Sequence, residues 1–213
     1  MDGLLGYKEG ASFGTAAFAF EGGTWEDQVT QGTGRSYGFE FLLQKKQGQT
    51  SGWLGYTLSW TDRQFDDVNN GQRFPFTYDR RHDISAVVLH EVSDKWTIGA
   101  TLVYGTGRAM TLNDVTYTSV VPGWEGGLMP IDFDIPSERN GFRFSPYHRL
   151  DLSATRTKIK KNGERSLVIS VYNAYNNLNP FFALPSQTNT GQPVIVEYGL
   201  FPFIPSVAWQ FSF

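Results

Sequence analysis

The sequence predicts an all-β fold, and within that class an antiparallel transmembrane β-barrel present in part, with about seven strands. Three observations carry the expectation. Seven segments alternate apolar and polar residues at period two. The connections between them alternate strictly between short and long, as they do when every tight turn lies at one end of a sheet and every extended loop at the other. Aromatic residues make up 15% and glycines number 23, while charged residues are only 18%, a mixture richer in strand and turn formers than in helix formers. No stretch reaches the roughly 18 apolar residues of a membrane helix. A mean hydropathy of −0.33 does not exclude a barrel, whose strand residues alternate between lipid and interior.

Residues 1–34 read as an outer-loop segment preceding the first complete strand, and 35–213 as barrel strands with long outer loops at 66–80, 108–147 and 176–204. The first strand, 36–44, sets Tyr37, Phe39, Phe41 and Leu43 on one face. The second, 53–62, sets Leu54, Tyr56, Leu58 and Trp60 against Gly55, Thr57, Ser59 and Thr61. Segment 82–92 is less regular, because Val87 and Leu89 share it with Ile84, Ala86 and Val88. Segment 96–105 alternates cleanly through Trp96, Ile98, Ala100, Leu102 and Tyr104, and 148–157 through Leu150, Leu152 and Ala154. The sixth strand is expected at 166–175, with Leu167, Ile169 and Val171. The seventh is the terminal stretch SVAWQFSF, where Val207, Trp209, Phe211 and Phe213 alternate with Ser206, Ala208, Gln210 and Ser212.

Charge and aromatic placement follow the same division. Lys45, Lys46, Lys95, Lys158, Lys160 and Lys161 fall in or beside the short turns 45–52, 93–95 and 158–165, while acidic residues such as Asp66, Asp67, Asp132 and Asp134 occupy the long loops. Tyr37, Trp60, Tyr104 and Tyr175 are expected near the long-loop ends, and Trp53, Trp96, Phe211 and Phe213 near the short-turn ends, as two aromatic girdles. Trp96 to Tyr104 is eight steps, roughly 26 Å along a strand and about 20 Å vertically at a tilt of about 40°. On this reading the apolar faces meet lipid and the polar faces a lumen.

No catalytic constellation accompanies His82, His90 and His148, so no enzyme, metal or cofactor is expected. QGTGRSYG (31–38) has the wrong glycine spacing for a dinucleotide fingerprint and precedes a strand; its GTGR recurs at 105–108, where turn chemistry is expected. DDVNNG (66–71) lacks the acidic residue that closes a calcium loop. A net charge of −3 offers no field for nucleic acid, and the absence of cysteine excludes a disulfide framework. Loop 108–147 is long and rich in aromatic, Arg and Asp residues; Tyr117, Trp124, Asp132, Asp134, Arg139 and Arg143 are its candidate ligand-binding residues. A folded lid with its own small core is the equal alternative. A soluble or surface β-sandwich binding glycans through aromatic loops is the competing fold and function, and a complete small porin-like barrel with a further strand within 9–22 is a third. MDGLLGYKEG has no export-signal pattern, so the chain is expected to be cytosolic or a piece of a longer one.

The run GTGRSYGFEFLLQKKQGQTSGWLGYTLSWTDRQF, then NNGQRFPFTYDRRHDIS, VYNAYNNLNPFF and a final Phe213, resembles the C-terminal barrel portion of TonB-dependent outer-membrane transporters, especially the subfamily with a carboxypeptidase-regulatory-like N-terminal extension. YDRRHD (78–83) and NAYNNLNP (173–180) are the more specific pieces. The resemblance covers most of the chain. It implies a barrel of about 22 strands around a plug, integral to the outer membrane of a Gram-negative cell and importing a scarce glycan, peptide or metal chelate. The implied partners are outer-membrane lipid, the rest of the barrel and plug, a TonB-type energy-coupling complex reached through the plug, the barrel-assembly machinery and a surface lipoprotein. Trp209, Phe211 and Phe213 resemble the terminal signal read by that machinery. About seven strands would leave two open edges in lipid, so the chain is expected to be one part of such a barrel.

Overall fold

Alternation at period two gives a strand one apolar and one polar row, and pairing brings like rows together only in the right register. The structure is a computed structural model that describes residues 1–8, 25–122, 128–136, 138–160 and 163–212. In chain order its strands are β1 (Leu4–Tyr7), β2 (Val29–Lys45), β3 (Thr50–Phe65), β4 (Phe74–Pro75), β5 (His82–Ser93), β6 (Trp96–Gly105), β7 (Ala109–Met110), β8 (Asn113–Pro122), β9 (Leu128–Pro136), β10 (Phe142–Arg143), β11 (Tyr147–Lys160), β12 (Gly163–Tyr172), β13 (Pro180–Gln187), β14 (Pro193–Gly199) and β15 (Ile204–Ser212). The main sheet runs β1-β2-β3-β5-β6-β11-β12-β15, with β4 beside β3, and every neighbouring pair is antiparallel. The fold is all-β and antiparallel. Among the described residues β1 and β15 do not pair, and the sheet is open.

Five of the seven expected segments lie wholly in a strand of this sheet; the sixth does so as far as Tyr172, and the seventh as far as Ser212, the last residue described. The short connections follow Lys45, Ser93 and Lys160 at one end, and the three long ones leave from Phe65, Gly105 and Tyr172 at the other. Register carries the apolar rows unbroken from strand to strand. One row reads Leu43, Leu54, Ala86, Leu102, Leu150; another reads Ile98, Ala154, Ile169, Val207. The opposite face carries Ser, Thr and Gly, with cross-strand hydroxyl pairs Ser36–Thr61 at 3.0 Å, Thr157–Ser166 at 3.0 Å and Ser170–Ser206 at 2.7 Å. No second sheet packs on either face among the described residues, and the apolar row stays open: Phe39 is 61% exposed and Val207 72%.

The buried core sits instead among the long connections. Phe65, Val68 and Phe74, with Leu4 against them, form one cluster; Leu112, Phe144 and Ala183, joined by Met110 and Phe142, form another. Loop 108–147 contains the β8–β9 hairpin and the β7–β10 ladder, and 176–204 the β13–β14 hairpin.

Four expectations are corrected or refined. β2 begins at Val29, ahead of the expected boundary at 34/35, because Leu4–Tyr7 pairs with it as β1. GTGR at 32–35 is therefore strand, and its first glycine serves packing: a Cβ on Gly32 would lie 2.3 Å from the Phe65 ring. The second GTGR does leave the strand, and at Gly107 a Cβ would meet the Phe144 carbonyl oxygen at 1.6 Å, so only glycine admits that backbone approach. Trp53 lies on the small-residue face, its ring 3.5 Å from where a Cβ of Gly55 would stand, and does not join a girdle on the apolar face.

The sixth strand ends at Tyr172, three residues short of the expected 175. Asn173 and Asn176 both take a left-handed backbone, φ 55°, which breaks the ladder and which asparagine tolerates better than most residues. Asn173 is fully buried. Its side-chain oxygen accepts from the Asn177 N–H at 3.0 Å, and its amide donates to the carbonyls of Asn177 at 2.8 Å and Phe201 at 3.0 Å. The Asn177 amide donates to the His148 carbonyl at 3.2 Å, and Asn179 accepts from the His148 N–H at 2.8 Å. NAYNNLNP thus ties the third long connection to the head of β11. Asn173→Ala is expected to destabilise the folded protein by about 3 kcal/mol, through lost hydrogen bonds plus the cost of a left-handed alanine. Asn173→Gly should recover about 1 kcal/mol of that, since it relieves only the backbone part. Urea midpoints, read by tryptophan fluorescence, measure both.

Candidate functional site

Long connections leave strand ends that must be fastened if the loops are to hold a shape, and YDRRHD supplies the fastening between β3, β5 and the 108–147 loop. Asp79 is only 2% exposed. Its carboxylate accepts from the Thr61 N–H at 2.7 Å, pairs with Arg143, and lies 3.7 Å from Arg81. Arg143 also donates to the carbonyls of Asp79 at 2.6 Å and Gly107 at 3.3 Å. Arg81 donates to the Ser59 carbonyl at 3.0 Å and lies 4.5 Å from the Trp60 ring centre. Two strand ends, of β3 and β5, and one long loop meet at this carboxylate.

A second polar group stands on the small-residue face. Alternation in β11 puts Tyr147, Arg149 and Asp151 on that face together, and β12 brings Tyr172 beside them. Arg149 donates to Asp151 at 3.0 Å, to Tyr147 at 2.9 Å and to Tyr172 at 2.7 Å, with its guanidinium 4.1 Å from the Tyr172 ring centre. Asp151 also accepts from the Asn173 N–H at 2.9 Å. Next to this group the face is hollowed into a cavity of about 300 Å³, bordered by Val87, Leu89, Gly99, Thr101, Asp151 and Tyr172. A hollow lined by hydroxyls, a carboxylate and small apolar groups can take a polar solute or a protein surface. It holds no nucleophile with a partnered base.

Of the six candidate residues of the 108–147 loop, Tyr117, Asp132 and Asp134 are placed by backbone register alone, and Arg139 and Arg143 by their contacts. Trp124 lies outside the described residues. Tyr117 sits opposite Phe133 in the β8–β9 ladder, Asp132 opposite Thr118 and Asp134 opposite Thr116. Arg143 belongs to the Asp79 fastening. Arg139 is exposed beside a small cavity of about 80 Å³ at Phe65, Phe76 and Asn140, and its N–H donates to Asn69 at 3.1 Å. Of the terminal aromatic residues, Trp209 and Phe211 stack at 5.9 Å on the apolar face of β15, and Phe213 lies outside the described residues. Each histidine has a hydroxyl partner on a neighbouring segment: His82 with Tyr56 at 2.9 Å, His90 with Thr50 at 2.8 Å and His148 with Tyr175 at 3.0 Å. Burial and the nearby Asp151 carboxylate push the Tyr175 phenol above its ordinary value, which keeps it protonated at neutral pH.

Comparison with protein-family models, curated proteins and solved structures returned no match. The functional reading rests on the geometry and on the motifs.

Sequence reasoning missed Arg149, Asp151 and Tyr172 as a unit. The signal was present, because Arg149 and Asp151 share a face by alternation, but Tyr172 joins them only through the β11–β12 register. The fastening role of Arg143 generates a test. Arg143→Met leaves the buried Asp79 carboxylate without its main partner and is expected to lower stability by about 3 kcal/mol. Arg139→Met, at an exposed position, should change it by less than about 0.5 kcal/mol. Thermal melts compare the two variants.

Proposed function

We propose that the chain forms a wall of the barrel of a TonB-dependent outer-membrane transporter, integral to that membrane, which takes up a scarce glycan, peptide or metal chelate. The observation that carries this reading is the apolar face, continuous in register across seven strands, exposed or half-buried along its length with no covering layer among the described residues, and bounded at both ends. Soluble monomers rarely expose contiguous apolar surface beyond a few hundred Å². At the long-loop end Tyr37 and Trp60 stack at 5.4 Å, and directly beyond them the same face turns to Arg35 and Asp62, 3.8 Å apart, with Arg73 on the same carboxylate. At the short-turn end it turns to Lys45, Lys158 and Arg165. An apolar band with aromatic and charged borders matches the outer surface of a membrane barrel.

Among the described residues the edge of β2 beyond its pairing with β1 and the outer edge of β15 carry backbone groups that hydrocarbon cannot satisfy, which supports further strands as the partners of this wall. The transporter class is supported by YDRRHD and NAYNNLNP, whose side chains fasten the long loops to the strand ends. On this reading the hollow beside Arg149 and Asp151 faces the lumen and a plug, and energy arrives through that plug from an inner-membrane complex. The assembly machinery reads the terminal aromatic strand, and a surface lipoprotein meets the long loops. The absence of a second packed layer among the described residues weighs against a glycan-binding sandwich.

Two measurements test the reading. Cell fractionation should leave the protein in the outer-membrane pellet after alkaline extraction; recovery as a monodisperse monomer without detergent would end it. Val207 and Ala208 are neighbours on opposite faces of β15. A charge on the lipid side of a barrel costs about 2–4 kcal/mol at mid-depth. Val207→Asp is therefore expected to lower the folded fraction on a heat-modifiability gel strongly and Ala208→Asp weakly, with equal losses counting against the assignment of faces.

A further inference from the structure

The apolar face does not end alike on every strand. On β11 the residues of that face after Ala154 are Arg156, Lys158 and Lys160, and on β12 the one preceding Leu167 is Arg165. Register sets Lys158 directly opposite Arg165. Like charges so placed destabilise an antiparallel pair, so the arrangement does not serve the ladder. Among the described residues none of these four cations pairs with a carboxylate. Glu164, adjacent in sequence, belongs to the other face, where it accepts from the Ser166 hydroxyl at 3.4 Å.

Rings position two of the cations. Arg156 lies 5.8 Å from the Trp96 ring centre and Arg165 lies 5.7 Å from that of Phe211. Together Arg156, Lys158, Lys160 and Arg165 border a cavity of about 210 Å³ whose remaining wall includes Leu167 and Trp209. The cavity thus has a strongly cationic side and an apolar side, and it stands where the apolar band stops. Its ligand should carry an anion and hydrocarbon in one molecule.

We infer that this hollow between β11, β12 and β15 binds the phosphate headgroup of an anionic phospholipid in the leaflet on the short-turn side. The inference rests on the reading of the apolar face as lipid-facing. Phosphate oxygens would take charge-assisted hydrogen bonds from Arg156, Lys158 and Arg165, and Leu167 and Trp209 would line the start of the acyl chains. The unfavourable Lys158–Arg165 opposition is then relieved by the ligand's charge. Inorganic phosphate supplies the anion without the hydrocarbon and should bind far more weakly.

The protein in detergent micelles is exchanged into nanodiscs of phosphatidylcholine with a minor share of phosphatidylglycerol, and co-purifying lipid is read by native mass spectrometry. The wild type is expected to retain phosphatidylglycerol, and excess inorganic phosphate should not displace it. Lys158→Gln with Arg165→Gln should lower that retention by about tenfold, while Lys45→Gln with Lys46→Gln, on another short turn, should leave it unchanged. Melting of the Lys158/Arg165 variant should be unchanged or higher, since two opposed cations are gone. Equal retention in both double variants, or displacement by inorganic phosphate, would overturn the lipid site while leaving the barrel reading intact. Failure of the wild type to enter nanodiscs at all would overturn both.

Discussion

Everything in this sheet depends on register. With side chains alternating at period two, a slip of one residue anywhere along the path would carry a strand's apolar row to the hydroxyl-rich face and break the rows on both sides of it. Short turns fix the register at one end of the sheet. At the other, where connections run to dozens of residues, it is fixed by side chains reaching back to backbone: Asp79 to the Thr61 N–H, and Asn177 and Asn179 to the two ends of the His148 peptide. The polar residues of the loop bases therefore do the work that tight turns do opposite them.

This division explains the odd location of the core. A sheet with one apolar face and no covering layer among the described residues has little to bury there, and the clusters around Phe65 and Phe144 form where the loops fold back over the strand ends. The fasteners lie within this same region. Burial there removes competing water from Asp79 and Asn173, so their hydrogen bonds hold the strand ends more firmly than they would at an exposed rim.

The strands were legible because each states its own face locally: Phe39 and Phe41, or Leu102 and Tyr104, need no knowledge of their neighbours. What depended on distant partners was not. Arg143 resembles a ligand-binding arginine until Asp79, 64 positions away, is seen to hold it. Tyr175 continues an alternating pattern, but the left-handed Asn173 ends the strand before it. Gly32 looked like turn chemistry because the ring that fills its space, Phe65, comes from the next strand. The loop hairpins were hidden for another reason: prolines at 122, 130, 136, 180, 185 and 193 punctuate them, and proline argues against a strand unless it lies at an edge or an end.

The length of the first hairpin has a mechanical consequence. β2 has 17 residues and β3 has 16, and their ladder is unbroken from Lys45 and Gly52 to Gly32 and Phe65. At about 3.4 Å per residue the paired ribbon spans roughly 44 Å, or about 34 Å of height when tilted as barrel strands are, against an apolar band of about 25 Å. On the proposed reading a stiff parapet about 10 Å tall stands above the membrane surface on this side of the pore. A partner docking on the long loops would push against a braced wall there rather than a yielding fringe, and could transmit a tilt to the strands below.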